Sequence, residues 1–155
     1  VLLDYSRMAE YDTMFKTSDL VRRIDERSVI RRLCFNAVWP TAPRDFVVCA
    51  SWTKRADGAI LIVSRSVPDS LCAPVKPYVR GFLQMSGYLL QPYSKTVPVA
   101  LEVGVGEWLG PGECKVTLLN HTELGGTIPA SVINVLSTSA PLKVLAALSA
   151  IVSKG

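Results

Sequence analysis

The sequence predicts an α+β domain, in which an antiparallel sheet of several strands carries one long C-terminal helix laid across it. Three observations predict it. Between Asp19 and Leu124 apolar and polar residues alternate in short runs separated by turn-forming residues, as strands require. After Pro129 the pattern changes to helical spacing. The chain has 155 residues, 49% of them apolar and 19% charged, which is enough apolar material for one core and too much for a disordered segment.

The elements follow in order. Leu2 to Met14 sets Leu3, Met8 and Tyr11 on one helical face, which predicts a short opening helix. Asp19 to Ala37 reads as paired strands with a turn near Asp25 to Ser28. Trp39-Pro40 and Ala42-Pro43 impose an extended connection, because residues before proline avoid the helical region. Asp45 to Arg55 is rich in Val, Phe, Trp and Thr, and Ala56-Asp57-Gly58 turns it into a second arm over Ala59 to Val67. Pro68 to Pro77 reads as a loop. Tyr78 to Tyr93 is a further strand region, with Gly81 and Gly87 as bend or bulge positions.

Ser94 to Gly112 has the prolines and glycines of a long loop, yet Val97, Val99, Leu101, Val103 and Val105 alternate like an edge strand. Glu113 to Leu124 is the last strand, and Gly125-Gly126 turns the chain. A helix then runs from about Pro129 to Lys154, with Val132, Ile133, Leu136, Ala140, Val144, Leu145 and Leu148 on a broad apolar face. Pro141 should kink it, because proline removes one backbone bond.

Charge and cysteine usage narrow the classes. The mean hydropathy, +0.29, fits a membrane protein or an internal apolar cavity. The best candidate for a membrane span, Leu142 to Val152, carries Lys143 at its start and falls short of the ~20 residues needed, so the excess is expected inside the fold. Asp4, Arg7 and Glu10 interrupt any secretory signal. The net charge is +4. Its densest cluster, Arg22, Arg23, Arg27, Arg31 and Arg32, reads either as a solvated strand pair or as a surface attracted to anionic lipid head groups. Nothing resembles a nucleic-acid-binding motif. Cys34, Cys49, Cys72 and Cys114 have no metal-ligand spacing and read as reduced thiols in a cytosolic-type compartment. No cofactor or metal is implied. Asn120-His121-Thr122 matches a glycosylation sequon, but lies within an expected strand.

Four motifs then occur in order. Arg7-Met8-Ala9-Glu10-Tyr11-Asp12 is similar to an R-M-x-x-W-N/D helix end. Trp39-Pro40-Thr41-Ala42-Pro43-Arg44-Asp45-Phe46-Val47 resembles a W-P-x-x-P-R-D-F-V connection between strands. Tyr78-Val79-Arg80-Gly81 parallels a strand start, and Thr122 to Pro129 resembles a D-x-x-G-x-[IL]-P entry into a last helix. Together they resemble the steroidogenic-acute-regulatory-protein-related lipid transfer (START) domain across almost the whole chain. The resemblance implies a helix-grip fold, a single domain over 1–155 whose N-terminal helix and first strands would precede Val1. It also implies a non-enzymatic function, the binding of one sterol or phospholipid in an internal cavity for transfer between membranes. The other readings are a regulatory lipid-sensing module of a larger protein and, third, an enzyme of the wider helix-grip superfamily. A monomer that is cytoplasmic and peripheral at membranes, in transient contact with their surface, goes with the first.

Site residues carry over individually. The sterol-binding branch places an acid where Arg31 stands and an arginine where Ala50 stands, so its buried ion pair is missing here. Its apolar contact matches Ile62, and its polar cavity residue before a proline matches Gln91. The phospholipid-binding branch uses an arginine and an aspartate near the first helix end; Asp12 fits, whereas Arg7 is offset by one residue. Arg31, if it points inward, would meet an anionic or phosphate-bearing head group or pair with Asp12. Tyr11, Trp52, Phe82, Ile133, Leu136 and Ala140 complete the expected lining, although Trp52 and Phe82 also suit a packed core. Leu71 and Val75 on the loop Ser66 to Pro77, with Pro141 in the helix, would form the gate. His121 with Glu123 suits an outer strand face better than acid–base chemistry. Gly104 to Gly110 lacks the strand and helix that a phosphate-binding loop requires.

Overall fold

The fold was obtained as a computed structural model, which describes residues 1–92 and 114–153. Seven strands form one sheet: β1 (Phe15–Arg23), β2 (Ser28–Phe35), β3 (Arg44–Lys54), β4 (Ile60–Ser66), β5 (Val79–Arg80), β6 (Phe82–Pro92) and β7 (Cys114–Glu123). Their order is β1-β2-β3-β4-β6-β7, antiparallel throughout, while short β5 runs parallel to the start of β3. The order expected for an α+β domain is therefore observed, and the sheet with its C-terminal helix is the helix-grip arrangement.

Both hairpins have local causes. Asp25 accepts from the Arg27 amide at 2.7 Å, which closes the β1–β2 turn. Gly58 takes φ +84° in the β3–β4 turn, a backbone region that side chains with a Cβ disfavour. The expected bulge positions move. The register slips between Leu83 and Met85, not at Gly81 or Gly87. Those two glycines serve close approach instead: a Cβ on Gly81 would strike the Phe46 ring, and one on Gly87 would strike the Ile62 carbonyl.

The opening helix is shorter and tighter than its apolar spacing predicts. It is a single 3-10 segment, Tyr5–Glu10, capped by Asp4, which accepts from the Ser6 amide at 3.0 Å. Asp12 ends it by accepting from the Met14 amide at 2.9 Å, a side-chain turn that competes with helical bonding.

The C-terminal helix runs as α1 (Ala130–Asn134), a wide π-helical turn (Val135–Ser139) and α2 (Ala140–Val152). Pro141 in the first turn of α2 has no N–H to give, so the wide turn falls where the regular ladder would fail. Thr138 Oγ1 donates to the Asn134 carbonyl at 2.5 Å, and the Ser137 hydroxyl donates to that of Ile133. At 23 residues and a mean hydropathy of 1.7, Ala130–Val152 is long and apolar enough to cross a membrane by length and composition. Considering Leu142 to Val152 alone misses this, because isolated Ser, Thr and Asn residues before it do not abolish the hydropathy of the whole stretch.

Strand alternation gives the sheet two faces. On the inner face Leu145 of α2 packs with Val116, Leu118, Tyr88 and Leu90. Beside this cluster Leu33, Phe46 and Val48 hold Tyr5, Phe15, Phe35, Leu83 and Leu124. The N-terminal segment and the helix thus cover the same face from two sides.

Candidate functional site

Register determines what reaches the inner face. Leu20, Arg31 and Val48 are cross-strand partners there, as are Trp52, Ile62, Tyr88 and Leu118 one row further on. A cavity of about 150 Å³ opens among Tyr5, Leu20, Arg31, Ala50, Trp52 and Ile62. Arg31, Ala50 and Ile62, carried over from the sequence resemblance, therefore meet at one place with Trp52, expected either as lining or as core.

Arg31 is one of four charged residues that line this cavity, with Arg23, Glu26 and Arg27. Its guanidinium donates to Ser18 Oγ at 2.5 Å and lies 4.4 Å from the centroid of the Tyr5 ring. Among the described residues it forms no ion pair. The alternative pairing with Asp12 does not occur, because the Asp12 carboxylate faces the backbone amides of Met14 and Phe15. Burial pushes the Asp12 carboxyl above the ordinary carboxylate range, and the two amides offset only part of that rise. Ala50, 4% exposed, lies diagonal to Arg31 on β3, and its small side chain leaves space in the cavity.

Tyr11 and Tyr88 lie deeper. Tyr11 is 5% exposed, and burial pushes both phenols up; each also feels the charge of Asp12. Tyr5 and Tyr88 are inner-face residues that the sequence reading left out. Period-two alternation from Arg31 and Ile62 would have found Tyr88, whereas Tyr5 required knowing how the opening segment crosses the sheet.

Other expected positions fall elsewhere. Gln91 neighbours Leu90 in β6 and so points to the outer face, opposite the cavity. Phe82 precedes inward Leu83 and is exposed beside Ser66, Pro68 and Arg80. Arg7 is held at the surface by Glu10, with Nε–Oε1 2.8 Å and Nη2–Oε2 2.7 Å. On the helix, Val132, Leu145 and Leu148 are the buried residues, Leu136, Ala140 and Pro141 are half-buried, and Ile133 is exposed. Leu71 and Val75 are exposed on the loop after β4, at the opposite end of the sheet from the β1–β2 turn. His121 and Glu123 are exposed on β7. The segment Ser94 to Gly112, with Gly104 to Gly110, lies outside the described residues except as sequence.

The motif residues Arg44 and Asp45 build the scaffold and do not reach the cavity. Arg44 donates to the carbonyls of Ala42 (2.5 Å), Leu124 (3.4 Å) and Gly125 (3.5 Å), tying β3 to the turn before the helix. Asp45, wholly buried on the outer face, accepts from Arg32 at 2.7 Å and from Arg80 at 3.0 Å through both oxygens. Arg80 continues to Asp69 and to the Cys72 carbonyl, which fastens the loop to the sheet.

A cleft on the inner face of a sheet that also carries a C-terminal helix, lined by apolar residues and by Arg23, Glu26, Arg27 and Arg31, suits a ligand-binding scaffold of helix-grip type. A START domain model matches residues 1–154, and the chain belongs to that family. Similar solved structures are human StAR-related lipid transfer protein 5 (TM-score 0.74, 23% identity, 94% of this chain and 64% of that one), human STARD10 (0.70, 20%, 95% and 55%) and a STAR-related lipid transfer protein of Xanthomonas axonopodis (0.65, 24%, 96% and 73%). A curated relative, an ENHANCED DISEASE RESISTANCE 2-like protein of Arabidopsis thaliana, is 29% identical over 89 residues, which span 54% of this chain and 12% of that protein. The chain thus spans under two thirds of the first two structures and a small part of the curated relative.

Proposed function

We propose that this domain binds one lipid against the inner face of its sheet and carries it between membranes, with Arg31 meeting an anionic or phosphate-bearing head group. The observation that carries the reading is Arg31 itself, a cavity-lining cation stacked on Tyr5 with no carboxylate partner among the described residues. Arg31 is half-buried, so part of its desolvation cost is uncompensated, and a ligand phosphate would relieve it. Acyl chains would gain ~25 cal/mol per Å² of apolar area removed from water, so orientation and affinity come from different parts of the ligand.

At about 150 Å³ the cavity is smaller than the ~300–1,000 Å³ of sites for drug-sized ligands. It admits a head group or a few methylenes, so loading requires α2 to move away from Val116 and Leu118. The wide turn before Pro141 is the natural hinge for that movement. Native mass spectrometry after incubation with mixed membrane lipids tests the proposal. One phosphate-bearing lipid per protein is the expected result, and a folded protein that stays empty would overturn it.

The second reading is lipid sensing within a longer protein. It is favoured by the Arabidopsis relative, of which the matched segment is only 12%. Transfer of a fluorescent lipid between vesicles by the domain alone separates the two: a carrier accelerates it, whereas a sensor binds without transferring.

A further inference from the structure

The antiparallel register brings the β1–β2 turn and the β3–β4 turn to the same end of the sheet, where the Trp52 amide donates to the Arg27 carbonyl at 3.1 Å. Exposed Arg22, Arg23, Arg27, Lys54 and Arg55 gather there against Asp25, Glu26 and Asp57. Two of those three carboxylates are already engaged. Asp25 accepts from the Arg27 amide, and Asp57 pairs with Arg55 at 3.1 Å and accepts from the Ala59 amide at 3.0 Å. Arg22, Arg23 and Lys54 form no ion pair with another described residue.

Apolar side chains stand among these cations. Ile24 is 52% exposed at the turn and Leu20 is 50% exposed on β1. The backbone amides of Ile24 and Asp25 donate to the Ser28 carbonyl at 3.0 and 3.2 Å, so the turn is closed and its side chains are left to solvent. Arg27 lies 5.3 Å from the Trp52 ring. The cavity is lined at this end by Leu20, Arg23, Glu26, Arg27 and Trp52.

We infer that this end of the sheet is a docking surface for an anionic bilayer. Arg22, Arg23 and Lys54 would meet lipid phosphates and carboxylates while Ile24 enters the head-group region. Charge complementarity selects the partner, and the protruding isoleucine favours a bilayer over a nucleic acid, which offers no apolar layer to receive it. The inference deepens the lipid-carrier reading by placing the cavity mouth at the membrane, at the opposite end from Leu71 and Val75.

The test is sedimentation of the domain with phosphatidylcholine vesicles, with and without phosphatidylserine. Binding is expected only with phosphatidylserine and should weaken as salt screens it. At ~1 kcal/mol per basic residue, R22S/R23S should lose about 25-fold in partitioning, while R22K/R23K keeps it. Ile24→Ser should lose about tenfold at low and high salt alike, since burial of an aliphatic side chain is not screened. Phosphatidylserine-independent binding, unchanged binding of R22S/R23S, or a loss confined to L71S/V75S would each overturn the inference. So would tight oligonucleotide binding that Ile24→Ser leaves intact. Native mass spectrometry of the same variants reads cavity occupancy separately, so an empty cavity with intact vesicle binding rejects carriage alone.

Discussion

Arg31 and Arg32 are neighbours in β2 and face opposite sides of the sheet. Arg32 is bonded to wholly buried Asp45 at 2.7 Å, and Arg80 completes the clamp from the other side. Among the described residues Arg31 meets a hydroxyl and an aromatic ring, each a weaker partner for a cation than a carboxylate. The Asp45 clamp thus pairs its charges within the protein, while Arg31 on the inner face is left for something else. One step along a strand separates a scaffold arginine from a binding arginine.

The difference can be broken from the scaffold side first. Asp45→Ala would leave Arg32 without a carboxylate and Arg80 with exposed Asp69 alone, and removing one member of such a cluster costs about 3–5 kcal/mol. Urea denaturation should show that loss; a midpoint like the parent's would mean that the clamp is dispensable.

The acid limb of stability gives the next largest effect, and it sharpens the comparison because the two faces respond with opposite sign. Burial pushes the Asp45 carboxyl up, but the bonds and charges of Arg80 and Arg32 together hold it below its ordinary 3.8. Its contribution is therefore present above about pH 4 and disappears as pH falls through the lower folded value. Asp12 is shifted the other way, so its protonation favours the folded state as pH falls toward 3.8. Thermal unfolding should show stability declining below pH 4, with Asp12→Asn removing a small stabilising rise just above it.

Asp69→Asn should have the smallest effect. It breaks the outermost contact of the clamp, where Asp69 is 56% exposed, and such pairs are worth ~0–1 kcal/mol. Hydrogen exchange faster in residues 68–77 with unchanged global stability is the expected outcome; global destabilisation would place Asp69 inside the clamp proper.

Much of this fold was legible because its causes are local. Alternation marked the strands, and Gly58, Gly125 and Gly126 marked turns that adopt positive φ. The clamp was not legible, because Arg32 and Arg80 lie 13 and 35 residues from Asp45 and nothing local announces their meeting. Gln91 shows the second limit. A one-residue difference in alignment reverses the face, so a position carried over by resemblance is only as good as its register. Arg31 could be singled out from sequence, but its lack of a carboxylate partner depends on Asp12 turning to the Met14 amide, which the opening segment's apolar spacing conceals.

Arg31→Met tests whether this arginine holds the lipid head group, by titrating the variant and its parent with an anionic and a neutral phospholipid of the same acyl chains. Hydrogen bonds to a charged group contribute ~1.5–3 kcal/mol, so the anionic lipid should bind at least about tenfold more weakly. The neutral lipid and the unfolding midpoint should be unaffected. Equal affinity of variant and parent for the anionic lipid would contradict the account and return Arg31 to the scaffold beside Arg32.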